Sequence, residues 1–210
     1  MVADLIVSSV ADLIPGSENF LQAVGDFFGD FGKDLAKDYM KEGVGSFVKA
    51  WQSEQVSRRI KAARQRLKDE TGFEPQPVSP SIGLPLLNAA SLEDRPELTQ
   101  MWERLLSAAM NKDKASGIRQ VYIDILKQMD PLDALVFAKL SFNGENNSRN
   151  KIAQEISRNP SQVDISFANL VDFRCCRFAE TQSHQDGTYS HTHLTSLGRE
   201  LQQVLNLPTK

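Results

Sequence analysis

The sequence predicts a mainly α-helical protein: a helical bundle with an N-terminal helical arm and a C-terminal winged-helix-like domain containing a small β-hairpin. Two apolar stripes predict the bundle. They comprise Leu98, Met101, Trp102, Leu105, Leu106 and Ala109, and then Ile118, Val121, Tyr122, Ile125, Leu126 and Met129. Both stripes follow the i, i+3, i+4, i+7 spacing of a helix with one buried face. Because the connections are short, we expect residues 91–143 to form a compact helical core.

Start signals mark the helices of this core. Ser91 with Asp94 resembles a capping box, and Pro96 follows in the first turn, where its missing N–H costs nothing. Asp130-Pro131 with Asp133 repeats this signal for a third helix. Asn143-Gly144 is expected to end it.

Residues 1–72 form the predicted N-terminal arm. We expect one helix over residues 1–14 and a second that begins at Ser17. The second carries a phenylalanine stripe and three glycines, at positions 25, 29 and 32. The stripe comprises Phe20, Phe27, Phe28 and Phe31. Close packing against a neighbouring helix is one interpretation, and insertion into a membrane is the other. Four lysines and eight acidic residues in the first 50 positions oppose the membrane interpretation, because surface-binding helices carry basic polar faces.

A basic helix follows, predicted from Phe47 to Lys68. Its second half carries the six cations Arg58, Arg59, Lys61, Arg64, Arg66 and Lys68. Such a helix can neutralise phosphates of nucleic acid or anionic lipid headgroups. The alternative is a solvated face that balances the acidic arm. Residues 73–90 then hold four prolines, which predict a linker or an extended strap.

The order of elements in residues 144–210 is that of a winged helix. A helix from Ser148 leads to a turn at Asn159-Pro160, and a second helix begins at Ser161. Asp186-Gly187 is typical of a hairpin turn. The phrase LTSLG (194–198) then opens a final helix that ends near Leu207.

The second of these helices is poorly equipped to read DNA. Its predicted outward residues are Ser161, Gln162, Asp164, Ser166 and Asn169. It carries acids at Asp164 and Asp172 and no base before Arg174, whereas a reader helix meets phosphates with positive charge. These residues favour a structural or protein-contact role.

The sequence contains no motif that assigns a catalytic, cofactor or metal site. Five residues have zinc-ligand chemistry: Cys175, Cys176, His184, His191 and His193. They lack Cys-x-x-Cys spacing, so buried cysteines and surface histidines are the favoured interpretation. Cys175 with a histidine is formally a nucleophile and base, but neither spacing nor neighbourhood identifies such a pair. We therefore expect a protein that is not an enzyme and uses neither cofactor nor metal.

Charge and hydropathy constrain the location. The net charge of −3 provides no global basic field for nucleic acid or lipid. Adjacent cysteines disfavour a disulfide framework, and no stretch reaches 18 uninterrupted apolar residues. We expect a cytoplasmic protein, with the inner membrane surface as the alternative site for its arm.

Several motifs resemble the signature of the abortive infection alpha (Abi-alpha) family of bacterial proteins, a domain of unknown function. Family members show an acidic pair before a helix with an aromatic residue and a Leu-Leu, and then Ile-Leu-x-x-Leu-x-Pro-x-(Asp/Glu)-Ala. The matching residues are Glu93-Asp94, Trp102, Leu105-Leu106, Ile125-Leu126 and Asp130-Pro131-Leu132-Asp133-Ala134. The loop NKDKASG, ending at Gly117, departs from the His-Pro of many relatives.

The resemblance implies a role in bacterial anti-phage defence, without catalytic residues to carry over. We therefore expect a non-enzymatic protein that acts through protein contacts or self-association, and through membrane association of its arm. The alternative is a winged-helix regulator that binds nucleic acid.

Overall fold

A computed structural model describes residues 17–32, 34, 47–144, 147–179 and 191–207. The predicted helix over residues 1–14 and the hairpin turn at 186–187, with His184, lie outside these ranges. The described residues form nine α-helices: α1 (Ser17–Phe28), α2 (Phe47–Thr71), α3 (Pro80–Ser91), α4 (Pro96–Ala109), α5 (Gln120–Gln128), α6 (Pro131–Lys139), α7 (Arg149–Glu155), α8 (Pro160–Asp172) and α9 (Ser196–Val204). A 3-10 helix (Ala115–Gly117) precedes α5, and strands β1 (Cys176–Phe178) and β2 (Thr192–Leu194) precede α9.

The prediction of a mainly helical protein with a small hairpin is therefore confirmed. All twelve residues of the two apolar stripes are buried except Val121, which is half-buried. The order helix, helix, hairpin, helix is also observed, from α7 to α9. Its assignment as a winged helix stays a prediction.

The chain divides into two compact units. The first comprises the described residues up to Asp94 together with Trp102–Ile123, and the second comprises Arg95–Met101 and the described residues from Asp124 onward. These limits differ from the four predicted segments (1–72, 73–90, 91–143 and 144–210), whose standing as domains stays a prediction.

In the first unit, α1 packs along α2, and α2 packs on α3. The core side chains from these helices are Phe20, Ala23, Val24, Phe27, Phe28, Ile60, Ala63, Leu67, Leu86, Leu87 and Ala90. Gly29, with a φ of 70°, ends α1 in the left-handed conformation that glycine adopts without steric cost. In the described residues, α1 and α2 therefore bury apolar side chains within the chain itself.

The prediction of a linker or extended strap over residues 73–90 is wrong for its second half. Residues 72–79 contain no helix and are held by two backbone bonds, from Gln76 N–H to the carbonyl of Met110 (2.9 Å) and from Val78 N–H to that of Phe27 (2.8 Å). Helix α3 then begins at Pro80, in the first position, where no N–H is required.

Pro85 lies inside α3, where a proline costs about 3 kcal/mol. Burial of Leu86 and Leu87 contributes roughly 1.5–3 kcal/mol each and offsets this cost. Tertiary burial therefore outweighs the local preference of the prolines.

In the second unit, α6 packs against α8, and α8 packs against α7 and β1. The hairpin is antiparallel, with Cys176 opposite Leu194 and Phe178 opposite Thr192. The Asp133 carboxylate accepts a bond from the Asp130 N–H (3.1 Å) and another from the Asn169 amide (3.1 Å), which ties the start of α6 to α8.

The phrase LTSLG has a structural explanation in this unit. Thr195 caps α9, because its Oγ1 accepts the Gly198 N–H at 3.0 Å and donates to the Arg174 carbonyl at 2.7 Å. A Cβ at Gly198 would overlap the carbonyl oxygen of Cys175, so this position requires glycine.

A membrane-crossing helix would have to be longer and more apolar than any that the described residues form.

Candidate functional site

The six cations in the second half of the basic helix α2 lie in three different environments. Arg59 is buried (8% exposed), Arg64 and Arg66 are half-buried, and Arg58, Lys61 and Lys68 are exposed. The helix turns once every 3.6 residues, so the adjacent Arg58 and Arg59 lie on different faces, whereas Lys61, Arg64 and Lys68 share one. The six do not form one continuous basic surface.

Most of these cations have acidic partners in the chain. Arg58 pairs with Glu54 (2.9 Å) and Arg66 pairs with Glu70 (3.1 Å), each one turn away on α2. Lys68 pairs with Glu74 at 3.0 Å.

Two other cations of α2 are bound to neighbouring segments of the same unit. Arg64 Nη1 lies 3.1 Å from the Asp26 carboxylate of α1. Arg59 is held between the Glu103 carboxylate, at 3.2 Å, and the carbonyl of Glu93, at 2.8 Å. This arrangement supports the interpretation in which α2 balances the acids of the arm.

A groove lies between α1 and α2, with a volume of about 250 Å³. Its lining comprises Gln22, Ala23, Asp26, Ile60, Lys61, Arg64, Gln65 and Lys68. Three of the predicted anion-binding cations thus border one cavity, whereas Arg58, Arg59 and Arg66 lie outside its lining. Sequence reasoning did not identify Gln22 and Asp26, because only the packing of α1 on α2 brings them to the basic helix.

Arg66 belongs to a different cluster, around Glu70. The Glu70 carboxylate also lies 3.9 Å from Arg104 Nη1. Burial lowers the pKa of Arg104, repulsion from Arg66 lowers it further, and attraction to Glu70 opposes both effects. Burial likewise lowers the pKa of Lys114, again opposed by Glu70. Glu70 therefore offsets the repulsion of several cations.

Most of the phenylalanine stripe packs inside the first unit, and its assignment as a membrane or partner helix stays a prediction. Phe20, Phe27 and Phe28 are buried in the first unit, because α1 uses this face to pack within the chain. Only the last of the four, Phe31, has a largely accessible ring, at 48% exposed, and it lies edge-on to Phe28 at 6.0 Å. The three buried rings therefore contact helices of the same chain, and Phe31 is the member of the stripe that solvent reaches.

The two cysteines are buried at the base of the hairpin. Burial raises the pKa of Cys175 to about 12 and raises the pKa of Cys176 still further, with repulsion from Cys175 adding to that shift. Both residues are therefore neutral thiols at physiological pH, and neutral thiols are poor nucleophiles. His191 is exposed, and His193 lies opposite Arg177 in the hairpin. In the part of the chain that the structure describes, no three His, Cys, Asp or Glu side chains cluster as metal ligands.

Helix α8, the expected reader helix, presents a surface different from the predicted one. Ser166 is buried, which corrects its assignment as an outward residue. Asp164 pairs with Arg149 at 2.9 Å, and Asn169 is bonded to Asp133. The most exposed large apolar side chain on α8 is Ile165, at 64%.

The spacing of the apolar residues in α8 indicates that Ile165 is exposed. Val163, Phe167 and Leu170 define the buried face, and a residue two positions after Val163 is turned by about 200°, onto the opposite face. An isoleucine on that face departs from the amphipathic pattern.

Comparison with known proteins identifies one family. A family model described as abortive infection alpha matches residues 54–206. No curated protein and no solved structure matches the chain.

Proposed function

The chain belongs to the abortive infection alpha family, and on that basis we propose that it acts in abortive infection as a non-enzymatic protein. It works through contact between the exposed surface of α8 and a partner protein. Family membership supports the defence role, and the exposure of Ile165 supports the contact.

Ile165 is the observation that carries this proposal. Its side chain is 64% exposed on a helix whose inner face is fully used in the core. Burying an isoleucine of this kind contributes roughly 1.5–3 kcal/mol, which is the size of a binding hot spot. Ser161, Ala168 and Asp172 lie one or two turns away on the same exposed stripe.

The charge of α8 indicates what kind of partner fits. The helix contains Asp164 and Asp172 and neither lysine nor arginine. Asp172 is exposed, whereas Asp164 pairs with Arg149 at 2.9 Å. The Asp172 carboxylate would repel phosphates of nucleic acid and attract lysine or arginine side chains. The partner is therefore a protein surface with an apolar pocket bordered by basic residues.

The state of the cysteines supports a role without covalent chemistry. A catalytic thiol needs a lowered pKa and access to its substrate. Burial gives Cys175 a raised pKa and no access.

Phage plating on bacteria that express the full chain tests the proposal. We expect Ile165→Ser to reduce protection by about tenfold or more, since loss of a hot spot weakens binding by at least that factor. The substitution is at the surface, so the free energy of unfolding should change by no more than about 0.5 kcal/mol.

Leu92→Ser is the matched control. The Leu92 side chain has the same number of carbon atoms as that of Ile165 and is 55% exposed, but it lies at the end of α3 in the other unit. This variant should protect as well as the unmodified chain at equal expression. Full protection by Ile165→Ser, or equal loss in both variants, would contradict the proposal.

A further inference from the structure

We propose that the groove between α1 and α2 binds a phosphate group, carried either by a soluble phosphate compound or by a lipid headgroup. This ligand site goes beyond the protein contact proposed for α8 and does not depend on it.

The groove has an apolar floor and two polar walls. Ala23 and Ile60 form the floor and are fully buried. Lys61, Arg64, Gln65 and Lys68 line the α2 wall at the i, i+3, i+4, i+7 spacing of one helical face. Gln22 and Asp26, one turn apart, line the α1 wall. The walls thus present ammonium, guanidinium and amide donors to the same space.

The lining is positively charged. It contains three cationic side chains and one carboxylate, a net charge of +2. Lys61 bonds to the neutral Asn19 amide oxygen at 3.0 Å, so its charge is not offset by that contact. Glu74 pairs with Lys68 at 3.0 Å from outside the lining, so it offsets one of these charges and leaves a net +1 around the groove. A chain whose net charge is −3 therefore has a local site for an anion.

The size and spacing of the donors favour a phosphate group. About 250 Å³ is below the range of drug-sized ligand pockets, so the groove suits a compact anion. Lys61 and Lys68 start about 10 Å apart along the helix, and their long side chains can converge on Arg64 between them. Arginine binds phosphate oxygens in pairs, and lysine adds point charges.

Asp26 competes with such a ligand for Arg64. Its carboxylate lies 3.1 Å from Arg64 Nη1 and holds the guanidinium at the wall of the groove. An incoming phosphate must share or displace this contact and is repelled by the carboxylate. Removal of the Asp26 charge should therefore strengthen phosphate binding.

Titration calorimetry of the full chain with inorganic pyrophosphate, at low ionic strength, tests the site. We expect saturable binding, weakened by about tenfold in Arg64→Gln because a charge-assisted pair of bonds is lost. Lys61→Gln should weaken binding in the same direction and removes a hydrogen bond to the neutral Asn19 side chain, so it remains informative if Arg64→Gln is unstable. Asp26→Asn should raise the affinity.

Arg58→Gln is the matched control. It removes the same charge from the same helix, but Arg58 lies outside the groove lining and pairs with Glu54. We expect an affinity within about twofold of the unmodified chain, since screened surface charges contribute little.

A second experiment distinguishes the two sources of phosphate. Sedimentation with phosphatidylglycerol vesicles, against phosphatidylcholine vesicles, is measured for the same variants. If the vesicles bind, pyrophosphate does not, and the variants affect vesicle binding in the order expected above, the groove binds a lipid headgroup. If pyrophosphate binds, the groove binds a soluble phosphate compound. The proposal is overturned if neither probe binds, or if Arg58→Gln weakens binding as much as Arg64→Gln.

Discussion

Arg58 and Arg59 are neighbours in sequence with opposite structural roles. The Arg58 guanidinium pairs with Glu54 in solvent. The Arg59 guanidinium is buried and pairs with Glu103 of α4. It also donates a hydrogen bond to the carbonyl of Glu93, in the segment between α3 and α4. Solvent screens the first pair far more than the second, so their contributions to stability should differ.

We predict that Arg59→Met lowers the free energy of unfolding by about 2–4 kcal/mol. The substitution leaves the largely buried Glu103 carboxylate without its cation and the Glu93 carbonyl without its donor. Urea unfolding followed by circular dichroism measures the change.

Arg58→Met is the control for this prediction and should change the unfolding free energy by at most about 0.5 kcal/mol. Arg59→Met combined with Glu103→Leu should recover part of the loss, because no buried carboxylate then remains unpaired. Equal effects of Arg58→Met and Arg59→Met would show that Arg59 is not a structural residue.

The sequence could predict the basic character of α2 but not which of its cations are exposed and which hold the helix to its neighbours. Pattern and charge locate six cations on one helix, yet the partners Asp26 and Glu103 come from segments 30 or more residues away. The same limit explains the errors on α8, where the position of Ser166 depends on packing against α6.

At the level of elements, α1 and α3 approach closely because of one glycine. A Cβ at Gly83 would overlap Cε1 of Phe28 and lie 2.9 Å from its Cζ and 3.0 Å from Cε1 of Phe27. The close packing expected from glycine in the arm is therefore made by a glycine of α3, against the phenylalanines of α1.

We predict that Gly83→Ala destabilises the chain by about 1–3 kcal/mol, since two buried rings must move to admit the methyl group. Helix propensity alone would predict the opposite, because alanine in place of glycine stabilises a helix by about 1 kcal/mol. Thermal unfolding measures the difference.

Gly117→Ala serves as the comparison, because a Cβ there meets nothing within 4 Å. It should leave the melting temperature unchanged or raise it. A melting temperature of Gly83→Ala at or above that of the unmodified chain would contradict the packing of α1 on α3.

Elements with strong periodicity were predictable, and elements decided by distant burial were not. The stripes of α4 and α5 and the start signal of α6 are local features, and the structure confirms them. Helix α3 was missed because Pro80 and Pro85 disfavour a helix locally, whereas burial of Leu86 and Leu87 is a property of the whole unit.

At the level of the whole molecule, charge distribution separates the proposed function from its alternative. The net charge is −3, α8 contains two acids and no base, and five of the six cations between Arg58 and Lys68 form ion pairs. The central claim is that this member of the abortive infection alpha family recognises a protein through α8 and is not a reader of nucleic acid.

Binding of the full chain to a duplex of about 30 base pairs, measured by fluorescence anisotropy across a salt series, tests this claim most directly. Each neutralised phosphate contributes about −0.9 to the slope of log K against log salt. We expect a slope no steeper than about −2 and an affinity weaker than about 1 µM at physiological salt. An affinity tighter than about 10 nM, with a slope of about −5 or steeper and weakened by Gln162→Ala on α8, would contradict it.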